Sequence, residues 1–354
     1  MSASPAPPPD APQAEAPFAG SSHGDSSRAE PGTRPALRVA RLRKTFGDLV
    51  AVEDVSLDVA HGEVFGLLGP NGAGKSTVMM IACGVLAADG GTVEINGEVL
   101  TPSRRDLRRT LGVVPQDLAI YPELTARQNL RFFGKLYGLR GKELDARVAD
   151  ALDRTGLTNR ADDRAEHYSG GMKRRLNFGC ALLHRPGVLI LDEPTVGVDP
   201  QSRAHLLASV KEVAAEGTAV VYASHYMEEV EEVCDRVAVI DAGRVLAAGT
   251  IPDLLAPLES VLRLHVAPPE SDPDGSTLLP PRFASLFDAQ PQQNGTVAFA
   301  LPRGRLTGET TLSGVLAPTL DHVRDAGGRL EAVHTEEPDL ERLFLKLTGN
   351  TLRD

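Results

Sequence analysis

An uninterrupted Gly69-Pro70-Asn71-Gly72-Ala73-Gly74-Lys75-Ser76 stretch, reading G-x-x-x-x-G-K-S, constrains this chain more than any other feature. Its three glycines let the backbone take conformations that a side chain would block. Successive N–H groups can then turn inward and cradle phosphate oxygens. In such a loop the lysine, here Lys75, reaches the β- and γ-phosphates of a nucleotide, and the hydroxyl, here Ser76, ligates Mg²⁺. The flanks agree with this reading. Val64-Phe65-Gly66-Leu67-Leu68 is a short apolar run that reads as a buried parallel strand. Thr77-Val78-Met79-Met80-Ile81-Ala82 begins a helix whose N-terminal dipole would add to the anion site. A glycine-rich turn with a chance lysine would lack both flanks.

Further apolar runs extend the pattern. Residues 188–191 and 219–223 are continuous and apolar, and the amphipathic segment 201–216 lies between them, which is a βαβ unit. Residues 37–42 and 55–59 alternate, as half-exposed antiparallel strands do, and 92–99 is a third with Asn96-Gly97 marking a turn. Between 125 and 164 the reading is mainly helical, with Leu124, Leu130, Phe133, Leu136 and Tyr137 at helix-like spacing. After about residue 260 the composition shifts. Alternation at 261–266, a loop rich in Pro, Asp, Gly and Ser, strands near 296–301 and 330–334, and helices at 312–326 and 339–347 suggest a separate small α+β unit. Residues 1–35 are rich in Pro, Ala, Ser and Gly and cannot bury enough apolar surface to offset their ordering entropy, so a disordered tail is expected.

Composition narrows the function. A length of 354 residues suits one large core with a smaller second unit. A net charge of −11 argues against a nucleic-acid surface spread over the chain, and no nucleic-acid partner is expected. Arg104-Arg105-Asp106-Leu107-Arg108-Arg109 reads as a solvated helix face. Cys83, Cys180 and Cys234 are far apart and form no C-x-x-C pair, which suits buried free thiols in a reducing compartment. The longest nearly apolar run, 78–88, has 11 residues, where a bilayer needs about 20. The N-terminus has no positively charged start followed by an apolar stretch, so no signal peptide is expected. If the protein works at a membrane, a separate chain must supply the spanning helices.

An acidic pair closes the strand Leu189-Ile190-Leu191-Asp192-Glu193. An aspartate at the end of an apolar strand holds Mg²⁺ in phosphate-loop enzymes, and the adjacent Glu193 is placed to polarise a water. Tyr168-Ser169-Gly170-Gly171-Met172 precedes a helix expected over 173–183 and offers a second helix N-terminus able to meet phosphate. Ser169 lies 19 residues before Val188, where the acidic strand begins.

Together these motifs resemble the nucleotide-binding subunit of an ABC transporter over about residues 37–251. Gly69 to Ser76 matches the Walker A loop, and Gln116 in Val113-Val114-Pro115-Gln116-Asp117 matches the Q-loop. Ser169 to Met172 matches the family signature, with Met172 where glutamine is commoner. Asp192 and Glu193 match Walker B, Asp199 the D-loop, and His225 in Ala223-Ser224-His225 the switch histidine. Phe46 stands where the family places an aromatic against adenine; read alone, an aromatic before a glycine favours a core residue.

The resemblance implies an α/β fold: a P-loop NTPase core with a mainly parallel sheet, an antiparallel β subdomain and a helical subdomain near 118–168, all within 36–260, followed by the α+β unit 261–354. It implies ATP and Mg²⁺ as ligands. Phe46, Gly69, Pro70, Asn71, Gly72, Ala73, Gly74, Lys75, Ser76 and Thr77 would hold the nucleotide, and Ser76, Gln116 and Asp192 the metal. Glu193, His225 and Gln116 would act in hydrolysis. Ser169, Gly170, Gly171 and Asp199 would cap ATP bound to a second copy in a head-to-tail homodimer. Tyr168 to Leu176, Tyr226-Met227-Glu228-Glu229 with Cys234-Asp235-Arg236, and the C-terminal Pro338 to Gly349 are similar to the ABC-2 exporter branch, including daunorubicin-resistance ATPases and nodulation-factor exporters. That branch implies an integral membrane permease as partner and a location on the cytoplasmic face of the membrane. Two rivals stand beside it: an ABC ATPase acting on ribosomes or DNA without a permease, and a regulatory module that binds ATP but hardly hydrolyses it.

Overall fold

A computed structural model describes residues 34–292, 294–307 and 310–349. The tail expected over 1–35 lies outside the described residues apart from its last two.

The chain begins with β1 (Leu37–Phe46) and β2 (Leu49–Val59), which pair antiparallel with Leu37 opposite Val59. Leu37, Val39, Leu42, Val52 and Val55 are buried, as alternation on a one-sided sheet requires. β3 (Val64–Leu68) is buried at all five positions. It feeds the glycine loop and α1 (Lys75–Ala82). β4 (Gly90–Ile95) and β5 (Glu98–Val99) flank Asn96 and Gly97, both at positive φ (52° and 80°), as a type I′ hairpin turn demands. α2 (Arg105–Arg108) and β6 (Leu111–Val114) follow, then the helices α3 (Ala126–Leu136), α4 (Gly141–Arg154) and α5 (Gly170–Leu182). The chain alternates through β7 (Val188–Asp192), α6 (Pro200–Ala215), β8 (Ala219–Ser224), α7 (Met227–Val233), β9 (Arg236–Asp241), β10 (Arg244–Thr250) and α8 (Ile251–Leu255).

Ten strands form one sheet in the order β5-β4-β1-β2-β10-β9-β3-β8-β7-β6. The run β9-β3-β8-β7-β6 is parallel throughout. The antiparallel strands continue that sheet rather than standing apart, through a parallel pairing of Arg244 with Asp54 between β10 and β2. Cys83, Cys180 and Cys234 are buried free thiols. α5 starts at Gly170, three residues before the start expected from sequence, because the Ser169 hydroxyl caps it by accepting the Met172 N–H at 3.2 Å. β6, β9 and β10 are strands that periodicity alone did not reveal. β6 has four residues, and β10 has no fully buried position.

A second, antiparallel sheet has the order β12-β13-β11-β14, built from β11 (Val261–Ala267), β12 (Asp288–Pro291), β13 (Val297–Pro302) and β14 (Arg329–Glu336). α9 (Leu312–Asp325) buries Val315 and Val323 in its core beside Leu264, Val266, Phe299 and Leu301. The last helix, α10 (Leu340–Thr348), does not join that core. Leu340, Leu343 and Phe344 pack with Val230, Val233 and Cys234 of the first sheet's core. The Leu340 N–H donates to Glu231 Oε1 at 2.7 Å.

Candidate functional site

Three parallel strands end side by side and set the site. β3 delivers the glycine loop, β7 ends in Asp192, and β8 ends one residue before His225. Ligands gather beyond the carboxyl ends of strands in such sheets because the loops there are free to converge. Gly74 lies at φ 103°, and a Cβ there would stand 2.5 Å from the Ala51 carbonyl oxygen, so the loop closes only with glycine.

Glu193 is the centre of the convergence. It is buried and takes a left-handed backbone (φ 47°), which costs about 1–2 kcal/mol in a residue with a side chain. Its N–H donates to the Ala223 carbonyl at 3.0 Å, which holds that turn against β8. Strain of this kind persists where the surrounding structure fixes a side chain for a purpose. Gln116 Nε2 donates to Glu193 Oε2 at 3.2 Å. His225 Nδ1 is 3.2 Å from Glu193 Oε1, and Lys75 Nζ is 3.6 Å from the same oxygen. Lys75 also donates to the carbonyls of Gly69 (2.6 Å) and Pro70 (3.0 Å). Burial pulls its ammonium below the usual lysine range, and the Glu193 and Asp192 carboxylates oppose that shift.

Asp192 lies by Ser76, whose hydroxyl favours its charged form, yet its Oδ1 is buried with no hydrogen-bond partner. Burial raises its pKa, the Ser76 hydroxyl works against that, and Glu193 reinforces it. An orphaned buried carboxylate oxygen is costly unless a cation or donor meets it.

Phe46, Asn71, Gly72, Gly74, Lys75, Ser76, Thr77, Gln116 and Glu193 line one cleft. Phe46 is 45% exposed at its rim, which rules out the core alternative. Lys44 Nζ lies 5.5 Å from the Phe46 ring centroid. Ser169, Gly170, Gly171 and Asp199 do not line this cleft; Gly171 stands against Asp199 and Ser202 instead. A Cβ on Gly171 would clash with Ser202 Oγ and stand 2.7 Å from Asp199 Oδ2. Asp199 caps α6 by accepting the Ser202 N–H at 2.9 Å, and the bonds from Ser202 hold its carboxyl below the usual range.

Three supporting residues escaped the sequence reading. Asp89 accepts from Lys44 Nζ (2.8 Å), Thr45 N (2.7 Å) and Thr45 Oγ1 (2.7 Å) and so fixes the strand end that carries Phe46. Arg174 donates to the Gln116 carbonyl and ties α5 to that loop. Glu229 is buried beneath the Glu193 and His225 turns. Asp89 and Arg174 carry no sequence signal for these contacts, and Glu229 is one of four alike glutamates in its stretch.

A family model described as ABC transporter matches residues 52–196. The linearmycin resistance ATP-binding protein of Bacillus subtilis (strain 168) is 42% identical over 321 residues, covering 90% of this chain and all of that protein. A Nod factor export ATP-binding protein I of Sinorhizobium fredii is 34% identical over 95% of this chain and 92% of its own. A daunorubicin resistance ATP-binding protein of Streptomyces coeruleorubidus is 34% identical over 90% and 97%. A solved ATP-binding subunit of an ABC transporter superposes with a TM-score of 0.58 at 33% identity, over 63% of this chain and 92% of its own. This chain therefore belongs to the ABC transporter family, as one of its ATP-binding subunits.

Proposed function

We propose that this chain is the ATP-hydrolysing subunit of an ABC-2 type exporter. Two copies close head-to-tail on ATP and drive a separately encoded integral membrane permease from the cytoplasmic face, with a drug or lipid-like cargo. The observation that carries this reading is the convergence of Lys75, Gln116 and His225 on one buried carboxylate, Glu193. The printed functions of the relatives, two drug resistances and Nod factor export, support the exporter branch.

In this reading Phe46 stacks on adenine, and the amides of residues 69–77 meet the phosphates. Lys75 exchanges the Gly69 and Pro70 carbonyls for β- and γ-phosphate oxygens. Glu193 orients the attacking water and takes its proton. His225 contacts the γ-phosphate, and Gln116 senses it. The partnerless Asp192 oxygen beside Ser76 fits a divalent cation. Ser76, Asp192 and Gln116 would hold Mg²⁺, which neutralises phosphate charge when bound. Ser169, Gly170, Gly171 and Asp199, which stand off the cleft, serve the second copy's ATP.

A permease needs a docking face. Tyr121, Phe132 and Phe133 form an aromatic cluster with centroids 4.9–6.2 Å apart, Phe132 edge-to-face with the other two. Tyr121 and Phe132 are exposed, as are Leu118 and Leu136 nearby in sequence. Exposed aromatic clusters are typical of interaction surfaces. Among the described residues no helix is long and apolar enough to cross a membrane.

The test is affinity purification of Glu193→Gln with ATP from detergent-solubilised membranes. Recovery of a stoichiometric polytopic partner supports the reading. Recovery of ribosomes or DNA, or of a dimer with no membrane protein, refutes it.

A further inference from the structure

Glu229 lies on the first turn of α7 and is 2% exposed. A buried carboxylate is tolerated only where donors meet it. Three hydroxyls bond to its Oε2: Thr195 Oγ1 at 2.7 Å, Tyr222 Oη at 2.8 Å and Ser224 Oγ at 3.3 Å. Its Oε1 has no hydrogen bond and faces Arg203 Nη1 at 3.5 Å.

The partners are informative by position. Thr195 stands two residues after Glu193, and Ser224 immediately precedes His225. The Ser224 hydroxyl also accepts the Tyr226 N–H at 3.0 Å, so the backbone on both sides of His225 is tied. Arg203 belongs to α6, and its N–H donates to the Asp199 carbonyl at 2.9 Å. Asp199 in turn packs on Gly171. One buried carboxylate thus joins the turn of Glu193, the turn of His225 and the helix behind Asp199. An apolar side chain would fill the same space without tying the three together.

We propose that Glu229 is a positioning residue for hydrolysis: through Thr195 and Ser224 it holds Glu193 and His225 in register, and through Arg203 it couples them to the Asp199 end of α6. This rests on the catalytic reading of Glu193 and His225. Geometry errors of about 1 Å at such groups cost on the order of 100-fold in rate, whereas nucleotide affinity, set by the loop amides and Lys75, is untouched by them.

The experiment compares full-length wild type, Glu193→Gln, Glu229→Gln, Glu229→Asp and Arg203→Met by steady-state ATPase, equilibrium ATP binding and thermal melting. Glu229→Gln is expected to lose at least about tenfold in kcat with ATP Kd within about twofold. Glu229→Asp regains part of that loss because the charge opposite Arg203 returns. Arg203→Met loses about threefold and adds nothing in the Glu229→Gln background, as shared networks are non-additive. A Glu229→Gln kcat within twofold of wild type overturns the proposal, as does a parallel loss of kcat, affinity and melting temperature. If Glu229→Gln does not fold, the Thr195→Val/Ser224→Ala double variant decides by the same readout. Wild-type turnover in Glu193→Gln would instead sink the reading of the site itself, so the two failures are distinguishable.

Discussion

The cleft around Glu193 and the second sheet are built on opposite terms. Around Glu193 the structure buries Lys75, Glu193 and Glu229, leaves an Asp192 oxygen without a hydrogen bond, and bends a glutamate into a left-handed turn. The second sheet closes over Leu264, Val266, Phe299, Leu301 and Val323. Its buried polar side chains among the described residues are threonines, such as Thr319, whose hydroxyl donates to the Val315 carbonyl at 2.7 Å. Its charges sit outside, in pairs such as Arg305 with Asp288 and Arg263 with Glu336. The first region gives up stability for chemistry, because buried charge is costly. The second buries no charged side chain among its described residues.

The largest contrast is in turnover. Glu193→Gln should lower kcat by on the order of 10³-fold, about 4 kcal/mol, the scale of one preorganised group, with ATP binding retained by equilibrium dialysis. Near-wild-type turnover would break the comparison at its root. In the core, Phe344→Ala should cost about 3 kcal/mol in chemical denaturation and loosen the first sheet, although α10 follows the second sheet in the chain. Leu264→Ala should cost a similar amount in the second sheet yet leave kcat within about twofold. A matching drop in kcat would show that the two regions are not independent.

Asp192→Asn sharpens the contrast by sign. Burial raises the Asp192 pKa in the folded state. The carboxyl therefore favours folding below its ordinary pKa of about 4, and that contribution is lost as pH rises through the raised value. The charged form is the costly one in this fold, so without ligand Asp192→Asn should melt higher than wild type at pH 7. It should also lose the additional stabilisation by Mg²⁺ over ATP alone. A lower melting point without ligand would mean the charge is satisfied in the fold. The smallest effect belongs to the surface. Arg305→Ala breaks a half-exposed pair at 2.9 Å and should change stability by less than about 1 kcal/mol; a larger loss in urea titration would place that pair in the core of the second region's stability.

The glycine loop was legible because G-x-x-x-x-G-K-S between a strand and a helix has few physical solutions. Gln116, Glu193 and His225 were legible only as an ordered set, since each alone reads as an ordinary polar residue. Their meeting at 3.2 Å is a tertiary fact. Short or exposed strands such as β6 and β10 were not legible, because pairing rather than periodicity makes them strands. The polar clamp of Asp89 on Lys44 and Thr45 joins residues 44 and 45 positions apart, which no local pattern records.

By itself the sequence determined the phosphate loop, the apolar strands around it and the order of the acidic and histidine motifs, because local geometry and hydrophobic period act over a few residues. Only the tertiary structure decided which of Glu228, Glu229, Glu231 and Glu232 is buried. The four are alike in sequence, yet Glu229 alone among them is buried and meets Thr195, Tyr222 and Ser224. Tertiary structure likewise decided that α10 packs in the first sheet's core and not the second's. The physical reason is the same in both cases: an amphipathic helix specifies that a face must be covered, and only the assembled chain specifies by what.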